Sequence, residues 1–266
     1  ERTWIAIKWA DVSNNQGWIR RNLVVFNDCV DESSWPEVES PSTPISVSIP
    51  TPDLSRNLEA FYPFNGNPND MSGNNNHLNV TGATLTADRS GVSNSAYFFD
   101  GNDYMVSSFS PITQAPKDRE YSIAFWFKPI TADHGTTTII FTGNGNACTY
   151  EPAIYYRSGE RILDVYASGC GIDGLVASVP INPDIWNHFV MTATEQASQI
   201  YINGLPTTGI VPYRPRNGVY RSLFIGVFSQ DGVSSSGERF YEGSVDDIRI
   251  YSRVLSPSEI EALSNS

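Results

Sequence analysis

From residue 58 onward the chain alternates apolar and polar positions in short runs, and almost nowhere shows the three-to-four spacing of an amphipathic helix. Runs of this kind predict strands at 58–64, 96–100, 104–108, 121–129, 137–142, 153–156, 161–166, 175–179, 186–194, 199–203, 222–227 and 242–252. Gly, Asn and Pro punctuate them. The Asn203-Gly204 pair supplies the positive φ of a tight hairpin. So many short strands predict an all-β fold, a two-sheet antiparallel sandwich of jelly-roll type.

The closing stretch Gly243-Ser244-Val245-Asp246-Asp247-Ile248-Arg249-Ile250-Tyr251 reads as the last strand. Strict alternation puts Asp246, Ile248 and Ile250 on one face and Asp247, Arg249 and Tyr251 on the other. The isoleucines belong in a core, which leaves Asp247 outside. After the strand, Ser256 is placed to cap a short helix, with Pro257 at its first position and Glu259 three residues beyond the cap.

This segment, continuing into Leu255-Ser256-Pro257-Ser258-Glu259-Ile260, resembles the last strand of the laminin-G-like jelly rolls of the concanavalin A-like lectin/glucanase superfamily. Leu58-Glu59-Ala60-Phe61-Tyr62-Pro63-Phe64, the loop from Asn69 to His77, and Phe98-Phe99-Asp100-Gly101-Asn102-Asp103-Tyr104 fit the same family. The resemblance covers residues 58–266, with no tandem repeat. It specifies a fold rather than a ligand.

The resemblance also implies a calcium ion, held by Asp247, by main-chain oxygen near Pro63 and at Gly101, with Asn65 and Asp103 available to complete a shell of six to eight oxygens. The bland alternative for Asp247 is a surface ion pair with Arg249. Asp246 is expected to be hydrogen-bonded structure. The loop 69–77 is a second cation candidate, although a plain turn is the preferred reading of its residues.

Before residue 58 the pattern changes twice. Residues 1–28, with Trp4, Trp9 and Gly17-Trp18-Ile19, resemble the C-terminal half of a bacterial SH3-like domain. A half barrel needs upstream residues or another copy to complete it, and the alternative is a hairpin packed on the main domain. Residues 29–57, rich in Pro, Ser, Thr and Glu, read as an extended linker. The chain opens on Glu1 rather than an initiator methionine, which is expected of a processed or excised piece.

Charge narrows the partners. Among 266 residues, 29 acidic against 17 basic side chains give a formal net charge of -12, which repels nucleic acid and anionic membrane. No apolar run is long enough to span a bilayer. Of three cysteines, Cys148 and Cys170 flank a hairpin read as centred on Gly159. In such a hairpin facing residues have numbers summing to 318, as these two do, so a disulfide and an oxidising compartment are expected. The alternative is two unrelated buried thiols. Cys29 is left over.

Catalytic patterns are missing. The glucanases of the superfamily carry Glu-x-Asp-x-x-Glu on one strand, which aims two carboxylates at one sugar bond. No such stretch occurs in this sequence. His77, His134 and His188 lie in separate segments without metal spacing, and His188 sits on a core-type strand. An enzyme is therefore not expected.

Loops at 132–137, 142–151, 211–220 and 229–240 gather Asn144, Asn146, Tyr150, Tyr213, Arg214, Arg216, Tyr220, Asp231, Arg239 and Tyr241. These are aromatic and polar side chains of the kind that stack on sugars and bond hydroxyl or acidic groups. Asn79-Val80-Thr81 is a glycosylation sequon. The expected function is non-catalytic extracellular recognition or adhesion, with a glycan or a surface protein as partner. Two alternatives stand beside it: a stalk or subunit of a surface assembly that contacts other copies through residues 1–28, and an accessory domain of a larger polysaccharide-degrading enzyme.

Overall fold

The chain divides into two units, Glu1–Ile49 and Pro50–Ser266. The computed structural model describes residues 52–107, 120–131, 134–143, 150–166, 174–194, 196–207, 211–212, 222–228 and 239–266, all in the second unit. The SH3-like reading of residues 1–28, residues 29–51 of the linker, and all three cysteines lie outside the described residues.

The described strands are β1 (Leu58–Tyr62), β2 (Asn79–Thr81), β3 (Thr84–Thr86), β4 (Ala96–Asp100), β5 (Tyr104–Ser107), β6 (Tyr121–Pro129), β7 (Thr136–Gly143) and β8 (Tyr150–Arg157). They continue with β9 (Ile162–Tyr166), β10 (Leu175–Pro180), β11 (Asn187–Ala193), β12 (Ala197–Ile202), β13 (Leu205–Pro206), β14 (Val211–Pro212), β15 (Ser222–Ile225) and β16 (Glu242–Tyr251). One helix, α1 (Pro257–Ser264), follows. Sheet one runs β13-β12-β11-β6-β16-β4-β3, with β1 also on β16 and β14 on β12; sheet two runs β10-β9-β8-β7-β15-β5-β2. All pairings are antiparallel, as the predicted sandwich requires.

Alternation places the core. In β6, Ile123, Phe125 and Phe127 enter it, joined by Phe189 and Met191 of β11 and by Val245, Ile248 and Ile250 of β16. Sheet two answers with Ile140, Ile154, Leu163, Val165, Leu223 and Ile225. Aromatic pairs such as Phe125 with Phe189, tilted at 33° with 4.9 Å between ring centres, help fill the core.

The face assignment expected for β16 is corrected at one residue. Asp247 has φ +50°, and the register on β6 shifts between Asp246 and Arg249. This bulge adds a residue to the strand, so the outward set becomes Asp246, Arg249 and Tyr251 while Val245, Ile248 and Ile250 point in.

The hairpin register is also corrected. In β8 and β9 the partners are Ala153 with Tyr166 and Arg157 with Ile162, so facing numbers sum to 319. A four-residue turn, Ser158 to Arg161, closes it, with Arg161 at φ +57°. Because an even-length loop cannot centre on one residue, the arithmetic that set Cys148 opposite Cys170 does not hold for the described part of this hairpin.

The helix begins as its sequence dictates. Ser256 caps it, Pro257 opens it, and the Glu259 carboxylate returns to the Ser256 N–H in a complete capping box. Arg253 holds Glu259 at 2.8 Å and donates to the main-chain oxygens of Arg56 and Asp53. Leu54 joins Leu255, Ile260 and Leu263 against Ala124, Val190 and Tyr251. Residues 53–57, expected in the linker, are therefore a packed part of the domain, because Leu54 has an apolar surface to cover and Arg253 needs acceptors.

Candidate functional site

Two places on the outer surfaces concentrate chemistry. The first is the bulge of β16. Arg89 reaches it from the loop after β3 and sets Nη1 2.8 Å from Asp246 and Nη2 2.8 Å from Asp247. Its Nε donates to the main-chain oxygen of Ser266 at 2.9 Å, and its guanidinium lies 4.8 Å from the Trp126 ring. Arg249 approaches Asp247 at 3.4 Å and stacks on Phe61 at 4.1 Å.

Burial shapes the charges here. Asp246 is 2% exposed and its carboxyl is pushed up to about 7, by burial first and then by the neighbouring Asp247, against the pull of Arg89. His188 lies across from Trp126, their rings 4.8 Å apart. It is 1% exposed, and burial, followed by Arg249 and Arg89, drives it down to about 3. It is a neutral, structural histidine.

The residues that the resemblance assigns to calcium separate into two groups. Pro63 follows Tyr62, which faces Ile248, so Pro63 and the exposed Asn65 are on the Asp247 side of β16. Gly101 and Asp103 are not. The register of β4 on β16 pairs Asp100 with Glu242 and Tyr97 with Val245, which sets Gly101 six positions, about 20 Å at the usual strand rise, from the level of Asp247. Asp103 is buried and accepts the Asp100 N–H at 2.9 Å. Gly82 makes room for it: at φ +84°, a Cβ there would run into the Asp103 carboxylate.

The five residues thus do not form one oxygen shell, and the Asp247 carboxylate already meets two guanidinium groups. Among the described residues no group of three or more His, Cys, Asp and Glu could hold a metal ion. The 69–77 loop is likewise self-satisfied. Asp70 accepts from the N–H groups of Phe61, Ser72 and Asn76 and from the Ser72 hydroxyl.

The second place is the outer face of sheet two, where an antiparallel sandwich normally turns polar side chains to water. Here Phe141, Ala153, Tyr155, Phe224 and Val227 form a buried apolar floor, with Tyr104, Val106, Tyr166, Phe228 and Phe240 half-buried around it. Tyr155 meets Tyr166 edge-on at 5.5 Å, and Phe141 meets Phe228 at 4.9 Å.

A polar edge adjoins this layer on β8, β9 and β10. Asp164, directly across from Tyr155, takes Arg157 Nε at 2.8 Å and the Ser178 hydroxyl at 2.5 Å. Arg157 also pairs with Glu160. Opposite that edge Arg239 lies over Tyr155 at 5.5 Å and over Phe228 at 5.8 Å.

Of the residues expected to bind ligand, Arg239 is on this face, and Tyr150 opens β8. Tyr241 is a core residue, buried against Phe99, because it precedes β16 by one position and turns between the sheets. Asn144, Tyr213, Arg214, Arg216 and Asp231 lie outside the described residues. Sequence reading passed over Tyr155, Tyr166, Phe228, Arg157 and Asp164. The signal was present, since Ile140-Phe141 and Leu223-Phe224-Ile225 are apolar on both parities, as a strand covered on both faces must be.

Residues 99–261 match the laminin-G-type profile of the concanavalin A-like lectin/glucanases superfamily. The chain belongs to that superfamily. Its similarity to an adhesion G-protein coupled receptor V1 of Danio rerio is 22% identity over 178 residues, 64% of this chain but 3% of the receptor. The chain thus spans a small part of that relative.

Among solved structures, the binding domain of botulinum neurotoxin DC in complex with rat synaptotagmin II superposes with a TM-score of 0.60 at 14% identity, over 80% of this chain and 52% of that one. Domain 4 of an extracellular arabinanase from Geobacillus stearothermophilus, in complex with arabinotriose, gives 0.53 at 21% identity, over 78% and 98%. At these identities the likeness shows the concanavalin A-like fold. Among the described residues no helix is long and apolar enough to cross a membrane.

Proposed function

We propose that this chain is a non-catalytic, extracellular recognition module that binds a glycan or a glycosylated surface partner through the outer face of its second sheet. The observation that carries the reading is the aromatic layer there, with half-buried Tyr104, Tyr166, Phe228 and Phe240 around a buried floor and the Arg157–Asp164–Ser178 network beside it. Aromatic rings offer stacking surface to sugar rings, and a fixed carboxylate, hydroxyl and guanidinium exchange hydrogen bonds with hydroxyl groups. The superfamily's lectin members, and neighbours whose structures hold a protein receptor or an arabinose oligosaccharide, support a binding role.

This reading takes Arg89, rather than a divalent ion, as the cation between Asp246 and Asp247. A second reading, an accessory domain in a larger polysaccharide-degrading enzyme, is favoured by the likeness to nearly the whole of domain 4 of an arabinanase. Both readings predict the same surface. The test is a panel of immobilised neutral and acidic oligosaccharides probed with the whole chain and with Phe228→Ala. Saturable binding weakened in the variant is expected, and a panel with no saturable binding, or with binding unchanged by the substitution, refutes the proposal.

A further inference from the structure

Arg239 differs from Arg157, the arginine of the adjoining polar edge, in having no carboxylate partner among the described residues. Arg157 is paired with Asp164 and Glu160, and across the sandwich Arg89, Arg249 and Arg253 each meet a carboxylate. Arg239 is exposed, and among the described residues no carboxylate is within ion-pair distance of it.

Its position is nevertheless fixed. The backbone is left-handed, φ +63°, and the main-chain oxygen is held by the Thr138 N–H at 2.8 Å. The guanidinium then lies over two rings, Tyr155 and Phe228. Stacking leaves the in-plane N–H fork of a guanidinium available, and that fork matches the two oxygens of a carboxylate or sulfate. A chain of net charge -12 does not attract anions at long range, so selectivity for one has to come from a local, preoriented cation.

We infer that Arg239 is the specificity residue of the recognition face, and that the ligand is an anionic saccharide whose carboxylate or sulfate meets its guanidinium. The inference rests on the recognition reading above. A saccharide fits better than an acidic peptide because the rim is aromatic and the Asp164–Ser178–Arg157 network on the same face suits hydroxyl groups.

The experiment measures affinity of the whole chain for uronate oligosaccharides, their carboxyl-reduced neutral forms, sulfated oligosaccharides and an oligoglutamate peptide, with Arg239→Gln and Arg239→Lys alongside. The expected result is a preference of about tenfold to a hundredfold for the anionic sugars over the neutral forms, the range of a charge-assisted hydrogen bond. That preference disappears in Arg239→Gln and returns only in part in Arg239→Lys, each substitution weakening binding of the anionic forms more than that of the neutral forms. The uronate and sulfate arms show which anion is taken.

Equal affinity for anionic and neutral sugars overturns the inference and leaves the recognition reading standing. Oligoglutamate bound as tightly as the uronates overturns the saccharide class. Binding to none of the four overturns both. Circular dichroism and thermal melting of Arg239→Gln identical to the parent exclude misfolding as the cause of a lost preference.

Discussion

Replacing Arg89 by methionine keeps an apolar stem at the position and removes the guanidinium that lies over Trp126 and is the cation shared by Asp246 and Asp247. Two contacts of 2.8 Å are lost, to one carboxylate that is 2% exposed and one that is 14% exposed. Breaking a buried ion pair from one side costs about 3–5 kcal/mol. Here Asp247 keeps Arg249 and some solvent, and Asp246 can escape by taking a proton, so the expected cost near pH 8 is about 2–3 kcal/mol.

For a domain of this size that is a fall in Tm of roughly 5–10 °C. The pH dependence separates this account from simple loss of packing. Asp246 is raised above its ordinary value of 3.8 to about 7. Its contribution to stability is therefore fully present below 3.8 and is lost as pH rises through 7.

Without Arg89 the folded carboxyl rises further. At pH 5.5 Asp246 is then protonated in both proteins and the deficit of the variant is small, whereas at pH 8.5 it is full. Adding Asp246→Asn to Arg89→Met should remove most of the difference between the two pH values. Scanning calorimetry at both pH values, each with calcium and with a chelator, checks this, and Arg89 filling both carboxylates predicts no calcium effect on the parent. A deficit below about 2 °C, or one independent of pH, refutes the clamp. A calcium-dependent rise in Tm that Asp247→Ala abolishes returns the metal to Asp247.

Three further outcomes follow from the same structure. His188, lowered from 6.5 to about 3 by burial, must stay neutral in the fold, so stability falls as pH drops below 6.5; His188→Leu should flatten that limb in urea titrations at pH 4 and pH 7. Glu259, lowered from 4.5 to about 2 chiefly by its hydrogen bond to Arg253, contributes stability above 4.5 that is lost as pH falls through 2. Glu259→Gln should cost about 1–3 kcal/mol at pH 7 and little near pH 2, read by chemical denaturation. Gly82→Ala meets both a left-handed backbone and the Asp103 carboxylate, and should cost at least about 1–3 kcal/mol in the same assay.

The strands and the capped helix were readable because each rests on local chemistry. Alternation in Tyr121–Pro129 and the Ser256, Pro257, Glu259 spacing specify their elements without help from elsewhere. The bulge was hidden. Asp246-Asp247 reads as two more alternating residues, and only the register on β6 shows that Asp247 is the extra one. A one-residue difference in a turn likewise decided the hairpin arithmetic at Gly159.

The candidate site was readable in type and not in place. Arg239 was expected to bind ligand from the chemistry of its loop. The floor beneath it was not, since Tyr155 and Phe224 look like core residues and only the pairing of β7, β8 and β15 shows that they face outward. Arg89 is 157 residues from Asp246 in sequence, and no local pattern announces such a contact.

The most direct test of the central claim is a map of the bound surface by amide chemical shifts, titrating the whole chain with the oligosaccharide that the panel retains most strongly. The account predicts shifts concentrated on β5, β7, β8, β9 and β15, around Tyr104, Tyr155, Tyr166 and Phe228, and their loss in a Tyr166→Ala/Phe228→Ala variant of unchanged fold. Shifts centred on sheet one, around β12, β13 or the β16 bulge, or a panel that retains no oligosaccharide, would contradict it.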